Sequence, residues 1–270
     1  MLKQRILTAA ILIPLVIWGL LKLPNTWFMD LTILVAIWGA YEWTQFIPLK
    51  TYGAKFGFML TVVLVIFALM LLSIPSIYIL AVGLLGWIDG IYLVFRKQKN
   101  DLPARATNSL YRAWLGLIVL VPFWVALNTL RTSTYGPIWL LYGMSIVWVA
   151  DIVAYFVGRA CGKHKLASNV SPKKTWEGVA GGLLGAVLAG IIWNWALNVP
   201  GSLYLIVLII VAITAGLSVL GDLLESMLKR MVNIKDSGVL LPGHGGLLDR
   251  IDALTIALPI FALFSLLFLL

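Results

Sequence analysis

Of 270 residues, 61% are hydrophobic and 11% charged, against roughly 25% charged in an ordinary soluble domain, so polar surface is too scarce to coat a water-facing globule. The formal charge is +9, but no soluble basic segment exists to hold a duplex, which excludes nucleic acid as the partner of that charge. A single cysteine, Cys161, excludes an internal disulfide and gives no metal-ligand spacing.

Apolar runs near the ~20 residues that cross a hydrocarbon core recur along the chain. They are continuous, without period-two alternation, and predict helices, not a barrel. The first, 6–23, follows Met1-Leu2-Lys3-Gln4-Arg5. It is of spanning length and no small-x-small site closes it, so it is expected to be retained and not cleaved as a signal. Further spans are expected at 27–47, 57–73, 76–95, 114–130, 137–158, 177–197, 203–222 and 252–270. The shallowest break is Ser73-Ile74-Pro75-Ser76, where the apolar signal is nearly unbroken. Twelve Trp and nine Tyr, many near the ends of runs, suit rings at headgroup level. The expectation is an all-α polytopic membrane protein of about nine transmembrane helices, one integral unit over 1–270. Its N-terminal helices cover 1–113. Its catalytic helices cover 114–270, with loops 159–176 and 222–251.

Cations mark the cytoplasmic side of membrane proteins. With a cytoplasmic N-terminus, the tail and the segments near 50, 100, 165 and 235 carry 18 of the 20 Lys and Arg; the other side receives only Lys22 and Arg131. Merging the two spans around Pro75 would place later basic loops outside, so this asymmetry supports the split. Most of these cations need no further role than topology and attraction to anionic lipid.

Two loops hold more than topology requires. Of eleven acids, Asp222, Glu225, Asp236, Asp249 and Asp252 fall in one 31-residue window, together with Lys229, Arg230, Lys235, Arg250 and His244. Asp222, Glu225, Ser226 and Lys229 follow i, i+3, i+4, i+7 and share a face if the eighth span continues as helix. The stretch Lys235 to Gly246 is too rich in Gly and Pro for helix, and its exposed backbone N–H groups can approach an anion. Asp249 and Asp252 are expected to open the last span. Carboxylates from two helix ends, beside cations and a Gly-rich loop, suit Mg²⁺ held with substrate phosphates. A salt-bridged juxtamembrane loop is the plainer alternative.

The other loop runs from Gly158-Arg159-Ala160-Cys161-Gly162-Lys163-His164-Lys165 to Ser171-Pro172-Lys173-Lys174-Thr175-Trp176-Glu177-Gly178. As a P-loop it is one residue short, and His164 stands where Ser or Thr is needed, so a Walker site is rejected. Ser171-Pro172 followed by Lys and Thr predicts a helix start with phosphate-binding donors. Within or near spans, Asp151 is the deepest acid; it faces either a polar cavity or a packed interior. Glu42 and Asp89 are expected at the interface.

Ser226-Met227-Leu228-Lys229-Arg230, Lys235-Asp236 and Leu241-Pro242-Gly243-His244-Gly245-Gly246-Leu247-Leu248-Asp249-Arg250-Ile251-Asp252 form a 27-residue pattern that resembles the phosphatidate cytidylyltransferase family, with no departure at its fixed positions. Tyr41-Glu42-Trp43 and the loop from Gly162 to Gly178 also look like bacterial members, while 48–140 matches least distinctively. The resemblance implies transfer of a cytidylyl group from CTP to phosphatidate, giving CDP-diacylglycerol and pyrophosphate. It implies Mg²⁺ with a second cation nearby, a homodimer, and a bacterial cytoplasmic membrane with the site facing the cytoplasm. Asp222 and Asp249 would hold metal and, with Lys229, carry catalysis. Ser171, Lys174, Thr175, Lys229, Arg230 and Lys235 would bind phosphates, with Ser226, Asp236, His244, Arg250 and Asp252 as further substrate-binding positions.

The residue chemistry agrees. A phosphate monoester has a second pKa of about 6 and is already ionised, so it needs no general base. Two anionic substrates do need metal and Lys/Arg clamps. With only two His in the chain, His244 is expected to donate to phosphate or orient the loop. A CTP-dependent lipid-alcohol kinase would need a base, and none is evident. The Asp-Gly-x-x-Ala-Arg pattern of CDP-alcohol phosphotransferases is missing, since Asp89-Gly90 continues into Ile91. A secondary transporter would show an internal repeat and mid-span charges.

Overall fold

The computed structural model describes residues 2–49, 51–240, 243 and 245–269. In chain order it contains α1 (Leu2–Lys22), α2 (Asn25–Trp43), α3 (Tyr52–Leu71), α4 (Ser76–Gln98), a 3₁₀ turn (Ala104–Thr107), α5 (Ser109–Thr132) and α6 (Gly136–Cys161). There follow β1 (Lys165–Ala167), β2 (Ser171–Thr175), α7 (Trp176–Ala196), α8 (Gly201–Met231), α9 (Leu248–Ile251) and α10 (Leu254–Phe268). Each expected span coincides with one helix. Among the described residues six, α3 to α8, are long and apolar enough to cross a membrane; α2 is not one of these, and the apolar parts Ala10–Lys22 of α1 and Leu254–Phe268 of α10 are shorter.

Local chemistry sets the boundaries. Pro24, Pro75 and Pro200 immediately precede α2, α4 and α8, where the N–H that proline lacks has no helical partner to lose, while each proline carbonyl accepts a first-turn N–H. Thr51, Asn108 and Thr175 cap α3, α5 and α7 with side-chain oxygens. Four helices stop alike, with Ser73, Asn100, Asn198 and Asn233 at positive φ of 51° to 57°. The next residue's N–H then reaches back five residues, as in Asp101 N–H to Arg96 O at 2.9 Å and Ile234 N–H to Lys229 O at 3.0 Å. That stop at Ser73, followed by Pro75, is the physical cause of the break the apolar signal barely marks.

Apolar side chains face outward as well as inward. Leu64, Phe67, Leu85, Leu188 and Ile192 are more than half exposed, which suits contact with acyl chains. With lipid as apolar as the interior, packing and hydrogen bonds hold the helices together. The central helix is α5, which packs on α2, α3, α4, α6 and α10. Its Arg112 is buried and donates to Phe46 O at 2.6 Å and Ala106 O at 2.7 Å, while Trp43 Nε1 donates to Arg112 O at 2.9 Å. At the far end of α5 the buried Arg131 donates to the carbonyls of Leu20 and Leu23 where α1 ends.

The closest helix pair is α6 and α7. A Cβ on Gly182 would lie 2.7 Å from Ala150 O, and one on Gly178 would lie 2.9 Å from Ala154 O. Only glycine lets the backbones approach so far. Two expectations change here. Ser171–Thr175 is not a helix start but a strand paired antiparallel with β1, Lys165 opposite Thr175 and Ala167 opposite Ser171. Asp249 and Asp252 do not open the last span. Asp249 lies in the separate short helix α9, and Asp252 in the link to α10.

Candidate active site

The site is assembled where α8 outruns the bundle. Its 31 residues carry Asp222, Glu225, Ser226 and Lys229 along one face, as their spacing predicts. Ser226 Oγ donates to Asp222 Oδ1 at 3.1 Å, and Lys229 Nζ to Glu225 Oε1 at 3.0 Å. Beside them the α9–α10 link crosses α8 at Gly221, where a Cβ would stand 2.3 Å from Asp252 O. A side chain there would push Asp252 away from Asp222.

Asp249 is held by three donors. Its Oδ2 accepts the N–H of Ser237 and of Gly246, both at 2.8 Å, and its Oδ1 accepts Lys229 Nζ at 2.6 Å. Burial alone would raise this carboxyl; the bonds from Lys229, Gly246 and Ser237 outweigh it and hold the carboxyl below its ordinary value. Lys229 bridges Asp249 and Glu225 with its side chain only 13% exposed. Its ammonium is therefore an internal tie between α8 and α9, where sequence had suggested a phosphate clamp.

The hairpin supplies the opposite wall. Lys174 Nζ lies 2.8 Å from Asp222 Oδ2. At the hairpin base His164 Nδ1 is 2.6 Å from Glu177 Oε1, and at its turn Asn169 N–H donates to Gln98 Oε1 at 3.0 Å. Thr175 is buried; its hydroxyl oxygen accepts the N–H of Gly178 at 3.1 Å and so starts α7.

Between these walls lies a cavity of about 720 Å³. Among the described residues, Asp151, Asp222, Asp249 and Asp252 line it with Arg159, Lys165, Lys173, Lys174 and Arg250. Four carboxylates and five cations in one space can hold a metal and two phosphate-bearing substrates. A second cavity of about 360 Å³, between Leu69 and Thr132, has no ionisable lining residue.

Of the expected site residues, the cavity gathers Lys174, Thr175, Asp222, Asp249, Arg250 and Asp252. Ser171 lies in β2 opposite Ala167, and Ser226 lies on α8, bonded to Asp222; neither lines the cavity. Arg230, in the last turn of α8, and Lys235 and Asp236, past its end, are exposed and do not line the cavity. His244 falls outside the described residues.

Sequence reasoning missed Arg159, Lys165 and Lys173 as cavity residues, although their basic loop had been singled out. Asp151 does face the cavity. Asp89, in the C-terminal half of α4, accepts from Arg105 Nη2 at 2.5 Å and from the Tyr111 hydroxyl, and belongs to a separate polar cluster. Glu42 is not interfacial but buried, 1% exposed, against the backbone of the loop before α9.

The sequence model of the cytidylyltransferase family matches residues 3–268. A phosphatidate cytidylyltransferase of Pseudomonas aeruginosa is 40% identical over 97% of this chain and 96% of its own length. One from Haemophilus influenzae is 39% identical over 98% of each chain. A Bacillus subtilis protein of the same name is 42% identical over 48% of this chain and 50% of its own.

Proposed function

The chain belongs to the cytidylyltransferase family, and we propose from that premise that it transfers the cytidylyl group of CTP to phosphatidate for phospholipid synthesis. A phosphate oxygen of phosphatidate attacks the α-phosphorus of CTP. A new P–O bond forms, the bond to the β-phosphate breaks, and pyrophosphate leaves with that electron pair. CDP-diacylglycerol remains in the membrane.

The observation that carries this reading is the cavity where α8, α9 and the hairpin meet, with its four carboxylates and five cations. The attacking phosphate is already ionised at neutral pH, so the protein must bring anions together more than remove a proton. Lys174, Lys173, Arg159 and Arg250 supply positive charge for that, and Thr175 lies beside them. Asp252 Oδ1 accepts the N–H of Ala253 at 2.9 Å, which fixes the carboxylate against the cavity wall.

The donor set fits Mg²⁺. Among the described residues no group of three or more His, Cys, Asp or Glu forms a metal cage. The protein therefore offers one or two carboxylates and leaves the remaining positions to phosphate oxygens and water, which is how Mg²⁺ is usually bound. Asp222 is the better placed, with its side chain a third exposed in the cavity. Asp249 would be the second carboxylate, with its Oδ1 shared with Lys229 and its Oδ2 already taken by two backbone N–H groups. Bound there, Mg²⁺ would neutralise charge on the nucleotide phosphates. The same family likeness underlies a second cation, a homodimer, and a site facing the cytoplasm across a bacterial inner membrane, with the 18-to-2 distribution of cations as independent support for the orientation.

Incubation of purified protein with labelled CTP, phosphatidate and Mg²⁺ tests this. Labelled CDP-diacylglycerol is expected, and chelation of the metal should stop its formation. No product from phosphatidate, with transfer of label to a lipid alcohol from γ-labelled CTP, would overturn it in favour of a lipid kinase.

A further inference from the structure

We propose that Glu42, on α2, is the positioning residue that holds Ser237–Gly238 and Gly246–Leu248, in the loop before α9, in place and thereby aims Asp249. The proposal rests on the functional reading above for its effect on turnover, and on geometry alone for its effect on the loop.

The carboxylate of Glu42 is the hub of that loop. Its Oε1 accepts Leu247 N–H at 2.9 Å and Trp38 Nε1 at 3.0 Å; its Oε2 accepts Leu248 N–H at 2.8 Å and Ser237 Oγ at 3.0 Å. All four partners are donors, and no Lys or Arg forms an ion pair with it among the described residues. A buried charged group satisfied this way holds every donor at a defined direction, since any displacement leaves a polar group unpaired.

The hub reaches Asp249 through one hydroxyl. Ser237 Oγ donates to Glu42 and accepts Asp249 N–H at 3.3 Å, while Ser237 N–H donates to Asp249 Oδ2 at 2.8 Å. Next to Ser237, Gln45 Nε2 donates to Ser237 O at 2.7 Å, a second bond from beyond the end of α2. The loop is also shaped around the carboxylate. A Cβ on Gly238 would lie 2.4 Å from Glu42 Oε1, and one on Gly246 would lie 2.5 Å from Oε2, so two glycines let the backbone close over it. Gly246 in turn gives its N–H to Asp249. The N-terminal helices thus fix the catalytic loop, though none of their residues lines the cavity.

The test uses full-length protein in lipid nanodiscs with E42Q, which keeps shape but turns one acceptor into a donor facing donors. Supporting shells of this kind change activity by roughly 10–100-fold when broken, and that loss is expected in kcat, with KM for CTP changed by less than about 3-fold. Amide exchange of the segment holding Leu247 and Leu248 should accelerate, measured without substrate. S237A breaks the same relay from inside the loop and should give the same exchange signature. It decides the matter if E42Q does not fold. Wild-type kcat, or undiminished protection of those amides, in the folded variants would overturn the proposal. If wild-type protein makes no CDP-diacylglycerol, the functional reading fails, while the exchange arm still decides the role of Glu42.

Discussion

Lys174 Nζ stands 2.8 Å from Asp222 Oδ2 and joins the β-hairpin to α8 across the cavity mouth. The two residues are far apart in sequence and come from the two polar loops, so this contact is where those loops become one site. Both side chains retain some exposure, 21% and 33%, which leaves room for a phosphate to compete for the lysine. Lys174→Met should therefore lower kcat/KM by about 10²-fold, the order found for loss of one charge-stabilising donor. Steady-state kinetics with CTP varied would check it.

Asp222 and Asp249 should separate by stability. Asp249→Ala removes one of the two acceptors of Lys229 and the acceptor of two backbone N–H groups at once; Asp222→Ala frees Lys174 and Ser226, which can reach water. Both variants are expected to lose turnover, but Asp249→Ala should melt at the lower temperature. Near-normal activity in Asp249→Ala would remove it from the metal site.

Lys229→Met is expected to behave as a folding variant as much as a kinetic one. It leaves Glu225 and Asp249, each 6% exposed, without their shared cation. Breaking a buried pair by removing one partner costs about 3–5 kcal/mol. A thermal melt in nanodiscs should show a large drop, and restoring the charge with Arg should recover only part, because a planar fork replaces a compact ammonium.

Gly182→Val should push α7 off α6. Its Cβ would meet backbone, Ala150 O at 2.7 Å, which cannot rotate aside. Overpacking of this kind costs about 1–3 kcal/mol and here also displaces Thr175 and Lys174 at the head of α7. Gly57→Val, whose Cβ meets nothing within 4 Å, should be silent in both melt and assay.

Arg131→Met tests the opposite end of the bundle, roughly 30 Å away along α6 at 1.5 Å per residue. Losing its bonds to the carbonyls of Leu20 and Leu23 should cost about 1.5–3 kcal/mol per bond to a charged group. The melting temperature should fall while kcat and KM stay at wild-type values.

Much of the site was legible as composition. Opposite charges crowded into 222–252 mark a place where topology alone does not explain the residues, and the i, i+4 ladder on α8 follows from helix periodicity. Pairing was not legible. Lys229 and Lys174 are both basic residues in polar surroundings. One is consumed by Glu225 and Asp249, while the other faces the cavity, and only the direction of each chain segment separates them. Ser171 was misjudged because Ser-Pro reads locally as a helix start, whereas the tertiary partner Lys165–Ala167 makes it a strand.

The amino-acid sequence by itself determined the membrane class, the helices and most of their ends, and the one-sided charge, because apolar run length, proline and capping residues act within a few positions of themselves; it missed the run of α8 on to Met231. Tertiary structure decided which acids face the cavity, which lysine is spent inside the protein, and that Glu42 is buried against the backbone of the loop before α9. Those outcomes depend on hydrogen bonds between residues as much as 206 positions apart, as between Glu42 and Leu248, and such contacts leave no local pattern in the chain.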